Sequence, residues 1–176
     1  KVLTDWNGLM IAALCKGAQA LGETRYYEAA RKSADFIIDN MITNNGRLLH
    51  RWRDGEGGIT GTIDDYAFLV WGLLELYETD FDIKYLKHAI ALNGIMLEDF
   101  WDDVNGALYF TSDNSEKLLI RQKDYYDGAI PSGNSVAMLN LLRLNRITAN
   151  AELQEKAIEI AKSFSRQVSA NPSAYT

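Results

Sequence analysis

"YYEAARKSADFIIDNM", residues Tyr26 to Met41, decides the fold because the chain carries its pattern three times. "YLKHAIALNGIMLEDF", starting at Tyr85, and "LQEKAIEIAKSFSRQV", starting at Leu153, fall on it at successive offsets of 59 and 68 residues. That register sets Ala30 on Ala89 and Ala157, Ala34 on Asn93 and Ala161, Ile37 on Met96 and Phe164, and Met41 on Phe100 and Val168. Small and apolar residues recurring every three or four positions draw one stripe along an amphipathic helix.

Upstream of each copy lies a more uniformly apolar run: Gly8 to Leu21, Ala67 to Tyr77 and Val136 to Ile147. Met10, Leu69 and Met138 correspond, as do Leu14, Leu73 and Leu142. A helix that is apolar all round is buried all round. The chain therefore reads as a single all-α domain, 1–176, of three helical hairpins spanning about 4–43, 64–100 and 133–169. Each pairs a buried inner helix with an amphipathic outer one. The repeat of roughly 60–70 residues is longer than the roughly 33–47 of common helical solenoids.

The extra length falls between each outer helix and the next inner one, where turn signals precede strand-like pieces. These are Arg47 to Trp52 after Asn45-Gly46, Ala107 to Thr111 after Asn105-Gly106, and Leu118 to Arg121. "DGEGG", Asp54 to Gly58, reads by composition as a flexible loop that could serve as a lid. Inner helices with long loops at their N-terminal ends are the plan of an α/α toroid, which gathers polar groups around the mouth of a ring.

A length of 176 residues with 47% hydrophobic content suffices for one real core, and a net charge of -6 without a basic stripe argues against nucleic acid. No apolar run approaches the roughly 18 residues of a membrane span. The run Leu9 to Leu14 followed by Ala18-Gln19-Ala20 imitates a signal peptide, but the same segment matches the two later inner helices. Cys15 is the only cysteine, so no disulfide framework or C-x-x-C motif exists within this chain, which fits a reducing, cytoplasmic setting.

Several motifs in order, "KVLTDWNGLMIAAL", "GRLLHRWRDG", "TIDDYAFLVWGLLELYE", "LYFT" and "YDGAIPSGNSVAMLNLLRL", resemble the C-terminal helical domain of the YyaL-like, thioredoxin-domain-containing, spermatogenesis-associated family. The resemblance covers essentially the whole chain. It implies an α/α toroid similar to those of N-acylglucosamine 2-epimerases and six-hairpin glycosidases. It also implies that only three of six hairpins are represented and that the family's N-terminal thioredoxin-like domain lies outside this sequence. Half a ring leaves apolar flanks, so a second copy or the remaining half of the toroid is expected to cover them.

Candidate site residues cluster at the starts of the inner helices. Asp5-Trp6-Asn7, Asp64-Asp65-Tyr66 and Gly133-Asn134-Ser135 are equivalent in the repeat. Read one way, they are helix caps. Read the other way, aromatic and acidic side chains at a cavity mouth suit a sugar, with Trp6, Asn7, Arg51, Tyr66, Tyr126 and Asn134 binding it. The catalytic candidates are His50, Asp64, Asp65 and Asp127. A carboxylate pair of Asp64 or Asp65 with Asp127 would suit glycoside hydrolysis, and His50 would suit epimerisation or isomerisation. His88, beside Lys87 on an outer helix, reads as structural. "WDDVNG", Trp101 to Gly106, has Trp in the first-ligand position of a calcium loop and reads as a turn, so no metal is expected, and no cofactor motif is present. The alternative is a non-catalytic helical scaffold whose concave face binds a protein.

Overall fold

The computed structural model describes residues 1–115, 120–170 and 172, and in it each repeat is a pair of helices joined by a tight turn. Helix α1 (Thr4–Leu21) pairs with α2 (Thr24–Asn40), α3 (Ile63–Asp80) with α4 (Ile83–Phe100), and α5 (Gly133–Thr148) with α6 (Ala151–Ala170). Each inner helix stops the same way. Gly22, Phe81 and Ala149, at matching positions of the repeat, adopt left-handed backbone with φ of 69°, 59° and 57°. Their N–H groups donate back to the carbonyls of Ala18, Tyr77 and Asn145, closing the last helical turn.

The inner helices α1, α3 and α5 lie in a row, and each outer helix rests on its own inner partner. Helix α3 occupies the middle and is the most buried, with Tyr66 through Val70 essentially inaccessible. Two glycines allow its close approach to α1. A Cβ on Gly8 would lie 2.5 Å from the Phe68 carbonyl carbon, and one on Gly72 would lie 2.8 Å from the Gly8 carbonyl oxygen. The two backbones touch there, so any side chain would force the helices apart.

The sequence stripe faces this core. Ala30, Ala89 and Ala157 are buried, as are Ile37, Met96 and Phe164, and Met41 and Phe100. Helix α6 departs from the pattern at its edge. Ala161 is exposed and Val168 is 37% exposed, because α6 is the last helix of the row. At the other end α1 exposes Trp6 and Met10.

A small antiparallel sheet joins the first two hairpins, in the order β1 (Val2–Leu3), β2 (Leu49–Arg53), β3 (Glu56–Thr60). Leu3 pairs with Arg51, and Arg53 with Glu56. The sheet corrects the reading of "DGEGG" as a flexible lid. Asp54 and Gly55 both have positive φ, 54° and 89°, and form a two-residue hairpin turn, and Glu56 to Gly58 begin β3. Both Asn-Gly turns close single bridges, Ile42 to Leu48 and Trp101 to Leu108. Within "WDDVNG" the Asp102 carboxylate accepts the N–H groups of Val104 and Asn105, consistent with a turn. Of the piece Leu118 to Arg121, Leu118 and Leu119 lie outside the described residues. Among the described residues, no helix is long and apolar enough to cross a membrane.

Candidate functional site

Helix α3 begins with a capping box, and that local device builds the centre of the site. The N–H and hydroxyl of Thr62 donate to Oδ2 of Asp65 at 2.7 and 3.1 Å. The other oxygen, Oδ1, accepts the N–H of Asp5 from α1 at 3.0 Å and faces Nδ1 of His50 from β2 at 3.0 Å. Asp65 is fully buried, whereas His50 keeps 27% of its side chain exposed. A carboxylate only accepts, so Nδ1 of His50 carries the donated proton, which in the neutral imidazole leaves the lone pair on Nε2. The β1–β2 pairing brings Asp5 to the same place, since Leu3 lies opposite Arg51.

Asp64 points away from its own helix start. Its carboxylate accepts the N–H of Gly133, the first residue of α5. A Cβ on Gly133 would lie 2.5 Å from Oδ1 of Asp64, so this position has no room for any larger residue without displacing the carboxylate. Burial first, and then the neighbouring charges of Asp65, Asp124 and Asp5, together push the Asp64 carboxyl up to about 7 against the opposing Gly133 N–H. Asp5 is raised too, chiefly by burial, against the pull of the Trp6 N–H. Asp64 thus keeps its proton near neutral pH, one residue before the carboxylate that faces Nδ1 of His50.

Asp5, His50 and Asp65 offer one donor atom each within 4.8 Å of one another, which is the metal-like grouping among the described residues. The Asp65 oxygens already accept from Thr62 and Asp5, and His50 Nδ1 already faces one of them. A cation there would have to displace those hydrogen bonds.

Three sequence candidates do other work. Tyr66 is 1% exposed, its ring lies edge-on to Phe100, and its hydroxyl accepts the Leu48 N–H at 2.8 Å. Burial pushes its phenol up to about 12. Asn134 is 1% exposed and clamps Leu108 through both its N–H and its carbonyl while donating to the Asp124 carbonyl. Asn7 donates to the Leu3 carbonyl and accepts from the Ser33 hydroxyl. These side chains hold the fold together through the bonds just named.

Asp127 accepts the Ser132 N–H and the Ser135 hydroxyl, pinning the entry to α5. It also stands in the wall of a cavity of about 730 Å³ with Trp71, Tyr125, Ser135, Leu139 and Phe164, a wall that does not include His50, Asp64 or Asp65. Trp6 and Tyr126 are largely exposed, at 66% and 59%. Arg51 neighbours His50 on β2, where alternation sends it to the opposite face, and its Nε is buried without a hydrogen-bond partner. Asp5, from the first of the three equivalent helix starts, and Asp124, from the loop before α5, join the site through tertiary contacts.

No family model matches the chain. It is 35% identical to spermatogenesis-associated protein 20 of Rattus norvegicus over 96% of its length, and 38% identical to an uncharacterised Caenorhabditis elegans protein over 98%. The chain spans about a quarter of those relatives, 23% and 24% respectively. Among solved structures it is similar to a GH76 alpha-mannanase of Bacteroides thetaiotaomicron, with a TM-score of 0.79 and 20% identity over 95% of this chain and 46% of that one. It is similar to a D-mannose isomerase, with a TM-score of 0.73 and 12% identity over 96% and 41%. A third is an inactive alpha-1,6-mannanase from Salegentibacter with two consecutive aspartates changed to asparagine, in complex with alpha-1,6-mannotriose, with a TM-score of 0.73 and 15% identity over 93% and 47%. At these identities the structures show the fold alone, an α/α toroid of the six-hairpin glycosidase and epimerase kind. At 35–38% identity along nearly all of its length, the chain is a homologue of about a quarter of spermatogenesis-associated protein 20 and of the Caenorhabditis elegans protein.

Proposed function

We propose that the mouth formed by Asp5, His50, Asp64, Asp65 and Asp124 is a sugar site, at which Asp64 is the acid and His50 the base of an epimerisation or isomerisation. The observation that carries this reading is the pairing of a carboxyl held up to about 7 with a histidine whose Nδ1 is tied to a buried carboxylate. Nε2 of His50 takes the proton from the carbon next to the sugar carbonyl, while Asp64 gives its proton to the carbonyl oxygen. Return of a proton to either carbon, with Asp64 recovering its own, yields the isomer with no added reactant. Asp65 acts through His50 and is a positioning residue. The likeness of fold to a D-mannose isomerase supports this reaction class by analogy.

A second reading, glycoside hydrolysis, is favoured by one observation. The inactive mannanase variant has two consecutive aspartates replaced, and Asp64-Asp65 is a consecutive pair at this mouth. Burial and four hydrogen-bonding partners leave Asp65 poorly placed to meet water or substrate, so the isomerase reading is preferred.

The test is proton exchange in D2O. Mannose, glucose and N-acetylmannosamine are incubated with the protein, and deuterium at C2 is followed by NMR. Exchange that falls at least about a hundredfold in both His50→Ala and Asp64→Asn supports the reading. Cleavage of alpha-mannosides without exchange supports the second. Absence of both returns the face to a helical scaffold for a protein partner.

A further inference from the structure

The charges around this mouth are lopsided. Asp5 comes from α1, Asp64 and Asp65 from α3, and Asp124 from the loop before α5; the Asp5 N–H reaches Asp65 at 3.0 Å, Asp64 Oδ1 lies against Gly133, and the next residue, Asn134, holds the Asp124 carbonyl. Among the described residues the only basic side chain paired with any of the four is His50. Four cations of the flanking segments are paired with other acids. Arg47 grips Asp99 with two hydrogen bonds of 2.7 and 2.8 Å, Lys123 is paired with Asp102, Arg121 with Asp113 and Arg53 with Asp54. Arg51 is turned to the other face of β2.

We propose that the substrate is a sugar without negative charge near its reacting end, and that this cluster of carboxylates excludes sugar phosphates and sugar acids. The inference rests on the acid–base reading above and adds a rule of selection to it. Hydroxyl groups of a neutral sugar donate to carboxylates. The anionic group of a phosphate or uronate offers acceptors only, and would meet the neighbouring carboxylates of Asp5, Asp65 and Asp124 with no arginine or lysine among the described residues paired to them. Specificity of this kind comes from repulsion of the wrong ligand rather than from extra contacts to the right one. At separations of about 4–6 Å near a protein surface, each unscreened like charge is enough to weaken binding about a hundredfold or more, and salt screening brings that down toward about tenfold.

The experiment uses matched pairs: mannose with mannose 6-phosphate, and glucose with glucuronate. Affinities are measured by calorimetry at low and at raised salt, on the wild type, Asp124→Lys and His50→Ala. Asp124 is exposed, so its replacement leaves the fold intact. The expected result is an anionic partner at least about tenfold weaker than its neutral parent, a gap that narrows as salt rises, and a further narrowing of about tenfold in Asp124→Lys. An anionic sugar that binds as tightly as its parent, and loses that binding in His50→Ala, overturns the charge rule while leaving the acid–base site standing. Binding of both partners unaffected by His50→Ala, or no binding by any of the four, overturns the site and the rule together.

Discussion

Nδ1 of His50 lies 3.0 Å from Oδ1 of Asp65, and that same oxygen accepts the N–H of Asp5 at 3.0 Å. Strand β2, helix α1 and helix α3 therefore meet on one buried carboxylate. The capping box at the start of α3 supplies the remaining donors from Thr62. A device that caps a helix start locally is thereby extended to hold His50.

Asp65→Asn should show both roles. Its amide presents two N–H donors to a pocket built of donors, so about 1–3 kcal/mol of stability is lost. At this chain length that is roughly 2–4 °C in Tm per kcal/mol. Proton exchange on sugar should fall about a hundredfold, with the loss in kcat rather than KM, because His50 loses its orientation and not its contact with substrate. Heat unfolding and steady-state rates check the two parts.

Asp64→Asn should change how stability depends on pH. The carboxyl ionises near 3.8 in the unfolded chain and near about 7 in the folded one, so between these values the folded state holds the extra proton. The contribution of this group is complete below pH 3.8 and is lost as pH rises through 7. The amide removes the penalty while keeping an oxygen for the Gly133 N–H. The variant should therefore match the wild type near pH 4, gain on it up to pH 7, and hold a lead of a few degrees in Tm above that. A lead that shrinks with rising pH would contradict the assignment.

Gly133→Ala tests the contact between hairpins. The added methyl would lie 2.5 Å from Asp64 Oδ1 and 2.9 Å from Ile63 Cγ2, and neither neighbour can withdraw freely from a helix start. A loss of about 1–3 kcal/mol is expected, with sugar exchange reduced as well because Asp64 is displaced. Unfolding in denaturant measures the first and the D2O exchange assay the second.

Tyr66→Phe separates fold from site. The hydroxyl serves the buried Leu48 N–H, and leaving that donor unpaired should cost about 1–3 kcal/mol. Sugar affinity should stay within about twofold, because the ring faces Phe100 and the core rather than the mouth.

The hairpins were legible because helical periodicity is written in each segment, and three copies in one register reinforce one another. The stops at Phe81 and Ala149 were not, because neither residue type announces left-handed backbone as Gly22 does. Asp54 to Gly58 misled through composition, with three glycines suggesting looseness where Asp54-Gly55 is the turn that two positive φ values require. In the site, Asp64 and Asp65 follow from the repeat, whereas His50 follows from its residue type in the loop that precedes α3. Tyr66 was carried along by adjacency, but one step along a helix turns a side chain by about 100°, and that step separates the mouth from the core. Asn134 occupies the position equivalent to Asp65, yet what it clamps is Leu108, a contact across 26 residues that no local pattern encodes.

The most direct measurement is a carboxyl-carbon NMR titration of Asp64 in the folded protein, assigned by its loss in Asp64→Asn. The account requires a midpoint near about 7, shifting downward in Asp124→Asn as one like charge is removed. A midpoint near the ordinary 3.8, unmoved by that substitution, would leave Asp64 without a proton to give at neutral pH and would contradict the acid–base site.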